Sequence, residues 1–122
     1  MKLGIVGSRN FNNFKLLENT ILGNFSNLEY IDVIVSGGAK GADTLAEKFA
    51  EKYNIKTEIY KPDWKTHGKK AGFIRNREIV DNSDFVIAFW NGESKGTLST
   101  INLVRKHKGE DKILIIYFKG DI

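Results

Sequence analysis

The sequence predicts an α/β protein built as a three-layer α/β/α sandwich around a five-stranded parallel sheet. Five short runs rich in Val, Ile and Phe alternate with four segments whose apolar residues recur at helical spacing. Such alternation favours a parallel sheet with helices on both faces. Right-handed crossovers then give the strand order 3-2-1-4-5, the order in half of a Rossmann sheet. The 122 residues are expected to form one Rossmann-like domain, residues 1–122.

The first half of the chain supplies three strands and two helices. We predict a strand at residues 2–6, a helix from Phe14 to near Gly23 or Asn24, a strand at 31–35, a helix at 42–53 and a strand at 56–60. The second of these strands is almost wholly apolar and β-branched, as expected for a strand buried on both faces. The third is short and alternating, which is typical of a sheet edge.

The second half begins with an irregular stretch and ends with a strand. We predict a long loop at residues 61–71, a helix at 73–81, a strand at 84–90, a helix after Gly96 and a strand at 113–118. In the helix at 73–81, Arg77 falls between Phe73 and Val80, which indicates that it is partly packed. The strand at 84–90 is nearly all apolar and therefore central.

Composition excludes several classes of protein. The chain has no Cys and two His, which argues against disulfides and against a metal site. No apolar run approaches the ~20 residues of a membrane span, and the first strand begins at once, so we expect a cytoplasmic protein without a membrane partner. The net charge of +4 suits a phosphorylated partner, although solvated lysines produce the same value.

Glycine-bearing loops follow the first, second and fourth strands. They contain Gly7-Ser8-Arg9, then Ser36-Gly37-Gly38-Ala39-Lys40-Gly41-Ala42-Asp43, then Asn91-Gly92-Glu93-Ser94-Lys95-Gly96-Thr97. In the order 3-2-1-4-5 these strands are neighbours, so the loops meet at the carboxyl edge of the sheet. Glycine lets the backbone approach a ligand, and the N–H groups of a following helix favour an anion. The loops therefore predict an anion site, although each glycine also suits a tight turn.

Three further residues are candidates for the site. Trp64, in the predicted long loop, either covers an apolar patch or stacks on a base. Arg75 and Asn76 lie together on a short helix, where they either contact a ligand or are solvated. Asp43 has a structural explanation of its own, because an acid in the first turn complements the helix dipole.

These motifs together resemble the SLOG superfamily, in particular its small YspA-like branch. The resemblance covers essentially the whole chain and rests on the GGAxGAD pattern at 37–43, the AGxxRN pattern at 71–76, Trp64, and the strand before Gly96-Thr97. It implies a Rossmann-like fold that binds nucleotides or nucleotide-derived ligands. Relatives include the LOG phosphoribohydrolases and the DNA-processing protein DprA.

The resemblance also implies roles for residues. The backbone of Gly37, Gly38, Gly41, Gly96 and Thr97 would hold phosphate, and Arg75 and Asn76 would contact the anionic or sugar part of the ligand. LOG enzymes carry a glutamate three residues after the threonine of their Gly-Thr motif, where this chain has Thr100. A hydroxyl does not replace a carboxylate in cleaving an N-glycosidic bond. Glu93 and Asp43 remain as candidate catalytic carboxylates.

We therefore expect a module that senses or sequesters a nucleotide-derived signal, ADP-ribose-like or cyclic, with Trp64 or Trp90 on the base. One alternative is a nucleoside-phosphate hydrolase, and another is a DprA-like single-strand binder, which the scattered lysines disfavour. No cofactor beyond that ligand is predicted, and a homo-oligomer is possible. The predicted ligand-binding residues are Gly7, Ser8, Arg9, Ser36, Gly37, Gly38, Lys40, Gly41, Asp43, Trp64, Arg75, Asn76, Asn91, Gly92, Ser94, Lys95, Gly96 and Thr97.

Overall fold

A five-stranded, wholly parallel sheet forms the middle of the protein. The computed structural model describes residues 1–119, so residues 120–122 of the predicted domain lie outside the described residues. The strands are β1 (Lys2–Gly7), β2 (Val33–Ser36), β3 (Lys56–Ile59), β4 (Phe85–Trp90) and β5 (Ile113–Tyr117). Their order is β3-β2-β1-β4-β5. The predicted Rossmann-like fold class and the strand order 3-2-1-4-5 are both confirmed.

Helices cover both faces of this sheet. They are α1 (Phe14–Asn24), α2 (Ala42–Lys52), α3 (Trp64–His67), α4 (Ala71–Asp81) and α5 (Lys95–His107). Three 3₁₀ turns, Leu28–Tyr30, Gly68–Lys70 and Glu110–Lys112, complete the connections. The α1 and α2 helices pack on one face and α4 and α5 on the other, which gives the three layers.

Alternating side chains of the central strands build a core on each face. Leu3 and Ile5 of β1 are fully buried on the α1–α2 side, whereas Val6 belongs to the α4–α5 side. Neighbouring β4 alternates in the same way, with Ile87 on the first side and Ala88 on the second. Each fully buried Leu or Ile stabilises the fold by about 1.5–3 kcal/mol, so the central strands are the most firmly held part of the sheet.

The segment 61–71 is not the irregular loop that we predict from the sequence. Asp63 accepts a hydrogen bond from the Thr66 amide at 3.1 Å and thereby caps α3. Gly68, at φ +57°, ends this helix and leads through a 3₁₀ turn into α4, which begins at Ala71 rather than residue 73. A helix of four residues has no apolar periodicity, which explains why the pattern missed it.

Other element boundaries move by one or two residues. The second strand begins at Val33 because the 3₁₀ turn Leu28–Tyr30 delivers the chain to the sheet, with Ile31 closing that turn. The last strand ends at Tyr117 rather than residue 118. In the part of the chain that the structure describes, no helix has both the length and the apolarity needed to cross a membrane.

A polar cluster joins α1 to α2 on one side of the sheet. The side chain of Glu18 is buried and accepts hydrogen bonds from Lys52 Nζ at 2.5 Å and from the Tyr53 hydroxyl at 2.7 Å. Hydrogen bonding from Lys52, and then from Tyr53, lowers the pKa of Glu18, because both favour the charged carboxylate. The ionised form of Glu18 therefore stabilises the folded state.

Replacing this carboxylate should make the protein less sensitive to acid. A carboxylate whose pKa is lowered by folding stabilises the folded state at pH values above the ordinary glutamate pKa. This stabilisation is lost as the pH falls through the pKa of the folded state. We expect Glu18→Gln to lower the melting temperature at pH 7, and the difference from the natural protein to shrink towards pH 3. Glu47→Gln, on the exposed face of α2, is the matched control. Equal melting temperatures of the natural protein and Glu18→Gln at pH 7 would contradict this role.

Candidate ligand-binding site

A cleft of about 440 Å³ opens at the carboxyl edge of the sheet, above β1 and β4. The order changes direction at β1, so the connections from β1 and β4 leave on opposite faces and open a crevice between them. The residues lining the cleft are Val6, Gly7, Ser8, Arg9, Asn10, Ala39, Asp43, Arg75, Asn76, Ile79, Asn91, Ser94, Gly96, Thr97 and Thr100.

Buried Ser8 ties the loop after β1 to the loop after β4. Its amide donates to the Phe89 carbonyl at 2.9 Å, and its hydroxyl accepts from the Asn91 amide at 3.2 Å. The Asn91 side chain in turn accepts from the amides of Glu93 and Ser94, both at 2.9 Å. The two loops are thus fixed to each other, and the Asn91 side chain holds the conformation of the loop after β4.

The amino end of α5 faces the cleft. Ser94 caps the helix, because its hydroxyl accepts from the Thr97 amide at 3.3 Å. The amides of Lys95 and Gly96 also belong to the first turn and have no acceptor within the helix. Gly96 is exposed in the cleft wall, so its N–H and the partial positive charge of the helix are available to an anion.

Arg75 connects the loop after β2 to the two helices on the other side. One guanidinium nitrogen donates to the Gly37 carbonyl at 2.8 Å, and Nε donates to the Asn76 side-chain oxygen at 3.0 Å. Asn76 donates at 3.5 Å to the Gly96 carbonyl in the first turn of α5. The wall of the cleft is therefore one hydrogen-bonded chain from β2 to α5.

Asp43 lies beneath Arg75 and is 7% exposed. Its carboxylate accepts from the Ala39 amide at 3.0 Å. Burial raises the pKa of Asp43, while the Ala39 amide and the charge of Arg75 oppose that rise. Burial also lowers the pKa of Arg75. The negative charge of Asp43 opposes this decrease, and the positive charge of Arg9 adds to it.

Arg9 and Arg75 therefore bring two like charges to one cleft. Asp43 is the single carboxylate among the described residues that line it. The side chain of Arg9 is exposed and makes no ion pair within residues 1–119. An anion between the two guanidiniums would relieve their repulsion, so the electrostatics of the cleft favour a negatively charged ligand.

The loop at 36–43 does not present its glycines to the cleft, contrary to the sequence prediction for Gly37, Gly38 and Gly41. A side chain at Gly41, whose φ is +79°, would lie 2.5 Å from the Ser8 carbonyl oxygen. One at Gly37 would lie 2.5 Å from the Arg75 guanidinium. These glycines allow close packing of chain on chain, and from this loop only Ala39 and Asp43 line the cleft.

Several other predicted residues lie outside the cleft. Trp64 is 54% exposed, and its ring lies against the backbone near Gly72. The Trp90 indole donates to the Ser94 carbonyl at 3.0 Å and faces Tyr117, so it braces the loop. The remaining residues outside it are Ser36, which is buried, Lys40, which lines a shallow neighbouring depression, and Gly92, Glu93 and Lys95, which are exposed.

The predicted residues that do meet in the cleft are Gly7, Ser8, Arg9, Asp43, Arg75, Asn76, Asn91, Ser94, Gly96 and Thr97. Sequence reasoning missed Asn10, which follows Arg9 in the same loop, and Ile79, one helical turn after Arg75. Thr100 also lines the cleft, and its hydroxyl donates to the Gly96 carbonyl at 3.3 Å. Within residues 1–119, no three His, Cys, Asp or Glu side chains come together as metal ligands would.

This architecture is that of a Rossmann-like domain with a cleft at its switch point. A model of the YspA, cpYpsA-related SLOG family (YAcAr) matches residues 1–67. Gene 61 protein of Mycobacterium phage D29 is 37% identical over 99 residues, which cover 76% of this chain and 79% of the phage protein. The chain therefore belongs to the YspA, cpYpsA-related SLOG family, as its motifs predict.

Two solved structures share the fold. DNA processing protein A from Helicobacter pylori, described in a study of its single-stranded DNA binding mode, superposes with a TM-score of 0.71 at 22% identity. That similarity covers 99% of this chain and 68% of the other. DNA processing protein A (DprA) from Streptococcus pneumoniae also gives 0.71, at 26% identity, and this chain spans about half of it (51%).

The two arginines of α4 should differ in their effect on stability, in the reverse of the order that the sequence suggests. Arg77 is not packed in the core but exposed and paired with Asp81 at 3.0 Å, whereas Arg75 is partly buried and hydrogen-bonded to Gly37 and Asn76. We expect Arg75→Ala to cost about 1.5–3 kcal/mol of unfolding free energy, because it removes the hydrogen bonds to the Gly37 carbonyl and the Asn76 side chain. Arg77→Ala should cost only about 0.3–0.5 kcal/mol. Urea unfolding of both variants measures the difference, and equal losses would contradict it.

Proposed function

We propose that the cleft binds a nucleotide or a nucleotide-derived phosphorylated ligand, and that the protein senses or sequesters this molecule. The observation that carries the proposal is the convergence of Arg9 and Arg75 beside the amino end of α5. Two guanidiniums and a helix amino terminus are the donors that phosphate favours in proteins. Membership of the SLOG family supports the same conclusion, because the family resemblance implies nucleotide-related ligands.

The other lining residues suit the rest of a nucleotide. Asn10 offers an amide group at the cleft wall that can hydrogen-bond a ribose hydroxyl or a base edge, whereas the side chains of Asn76 and Asn91 are already hydrogen-bonded within the wall. Val6 and Ile79, which are 5% and 2% exposed, form an apolar floor against which the flat part of a base would lie. The volume of about 440 Å³ lies within the ~300–1,000 Å³ typical of small-molecule sites. We therefore propose AMP, ADP-ribose and cyclic nucleotides as the first probes.

The positions of the carboxylates do not favour an enzyme that hydrolyses an N-glycosidic bond. Glu93 is exposed and outside the cleft, so it does not take the place of the LOG glutamate. Asp43 is held by the Ala39 amide beneath Arg75. Thr100, in the cleft, offers a hydroxyl that already donates to Gly96. We therefore propose binding without cleavage of the N-glycosidic bond.

Single-stranded DNA is the second candidate ligand. The H. pylori DprA of similar fold is described by its single-stranded DNA binding mode. Arg9 and Lys40, both exposed, lie in the depression beside the cleft and could follow a phosphate backbone. Binding of this kind would be strongly salt-dependent, which distinguishes it from binding of a mononucleotide.

Arg9→Ala should weaken ligand binding without weakening the fold. Removing a hydrogen bond to a charged group costs about 1.5–3 kcal/mol, which is roughly a 10- to 150-fold loss of affinity. Calorimetric titrations with AMP, ADP-ribose, cyclic AMP and a 20-nucleotide oligo(dT) measure it, and Arg77→Ala is the matched control. Equal affinities in the natural protein and Arg9→Ala would overturn this site. Tight oligo(dT) binding with no binding of the small molecules would replace the first candidate with the second.

We expect no release of free base when the protein is incubated overnight with AMP or other nucleoside monophosphates. The physical reason is the hydroxyl of Thr100, which is a far weaker acid–base group than a carboxylate. Chromatography of the reaction mixture provides the measurement. Turnover that Asp43→Asn abolishes and Glu93→Gln leaves intact would establish a hydrolase centred on Asp43, and the binding-only proposal would then be wrong.

A further inference from the structure

The edge strand β5 is apolar along its whole length. Its sequence is Ile113-Leu114-Ile115-Ile116-Tyr117, with no charged residue and no proline. The first four side chains are only partly buried, and Tyr117 is 65% exposed. Within residues 1–119, β5 pairs with β4 on one side and with no strand on the other. Its outer backbone N–H and C=O groups are therefore available to another strand.

The opposite edge of the same sheet is protected. Strand β3 carries Lys56 and Glu58 in four residues. Lys56 is exposed, and Glu58 pairs with Lys2 at 2.7 Å. Charges on an edge strand disfavour pairing with another chain because pairing would desolvate them. One edge of this sheet thus resists pairing, and the other has no such protection.

We propose that β5 pairs antiparallel with β5 of a second copy of this chain, with Ile115 on the twofold axis. This register places Ile115 opposite Ile115, Leu114 opposite Ile116 and Ile113 opposite Tyr117 of the second copy. Every pair joins two apolar side chains that lie on the same face, as a continuous sheet requires. The interface is the same surface on both copies, which is what a closed dimer needs.

The flanking charges agree with this register. Asp111 comes two residues before β5, and Lys119 two residues after it. Continued past the strand ends, this register brings Asp111, in the 3₁₀ turn before β5, towards Lys119 of the second copy, twice in the dimer, and opposite charges across strands are stabilising. A register shift of two residues would instead place Asp111 opposite Tyr117, or Lys119 opposite Ile113. The charges that flank β5 therefore favour a second copy of this chain as the partner, in the register centred on Ile115.

Sedimentation equilibrium tests the proposal directly. We expect the natural protein to show twice its monomer mass of 13.8 kDa at high concentration. Ile115→Lys should give 13.8 kDa, because two lysines would then face each other at the axis. Thr57→Lys, on β3, is the matched control and should leave the dimer unchanged. A natural protein that remains at 13.8 kDa up to millimolar concentration, or a dimer that survives Ile115→Lys, would overturn the proposal.

A charge exchange tests the register without altering the strand. Asp111→Lys and Lys119→Asp should each raise the dimer dissociation constant roughly 2- to 30-fold, and the double variant should restore it. Both positions are exposed, so these variants also decide the matter if Ile115→Lys fails to fold by circular dichroism. Single exchanges without effect, or a double variant as weak as the singles, would show that the register is wrong.

Discussion

The hydrogen bonds of Arg75 hold the candidate site together. From α4, this side chain reaches the Gly37 carbonyl in the loop after β2, lies over the carboxylate of Asp43, and contacts Asn76, which continues to the first turn of α5. Three separate elements are thereby fixed around one guanidinium. A partly buried cation is stable only when its charge and donors find partners, and here two oxygens accept its hydrogen bonds while the charge of Asp43 lies nearby. The position of each loop at the cleft follows from that requirement.

The two arginines of the cleft have different roles. Arg75 holds the cleft wall through its hydrogen bonds, and the nearby carboxylate of Asp43 offsets part of its charge before any ligand arrives. Arg9, in the loop after β1, is exposed and lines the same cleft. Together with the amino end of α5, which Ser94 caps but does not fill, Arg9 supplies the unbalanced positive charge that attracts an anion. The proposed function rests on both cations, which line one cleft with the amino end of α5.

Sequence reasoning predicts the fold well because short, mostly apolar strands alternate with segments of helical spacing, and the topology rules leave few alternatives. It does not tell what a glycine is for. From the sequence, a glycine at position 41 is explained equally well by a ligand at the helix terminus and by close packing against Ser8. The structure shows the close packing. The face of α4 was also ambiguous, because Phe73 looks like a core residue but is 56% exposed. Arg75 is the arginine of α4 that faces the sheet because it donates to the Gly37 carbonyl, a tertiary contact that the sequence pattern does not contain.

We propose that an anionic nucleotide binds between the loop after β1 and the amino end of α5. A titration of the ¹⁵N-labelled protein with AMP, followed by NMR through the backbone amide signals, tests it most directly. We predict that the largest shifts fall on Ser8, Arg9, Asn10, Gly96 and Thr97, with little change along β3 and in α3. Shifts concentrated around Trp64 and Lys69, or no shift at millimolar AMP and ADP-ribose, would contradict it.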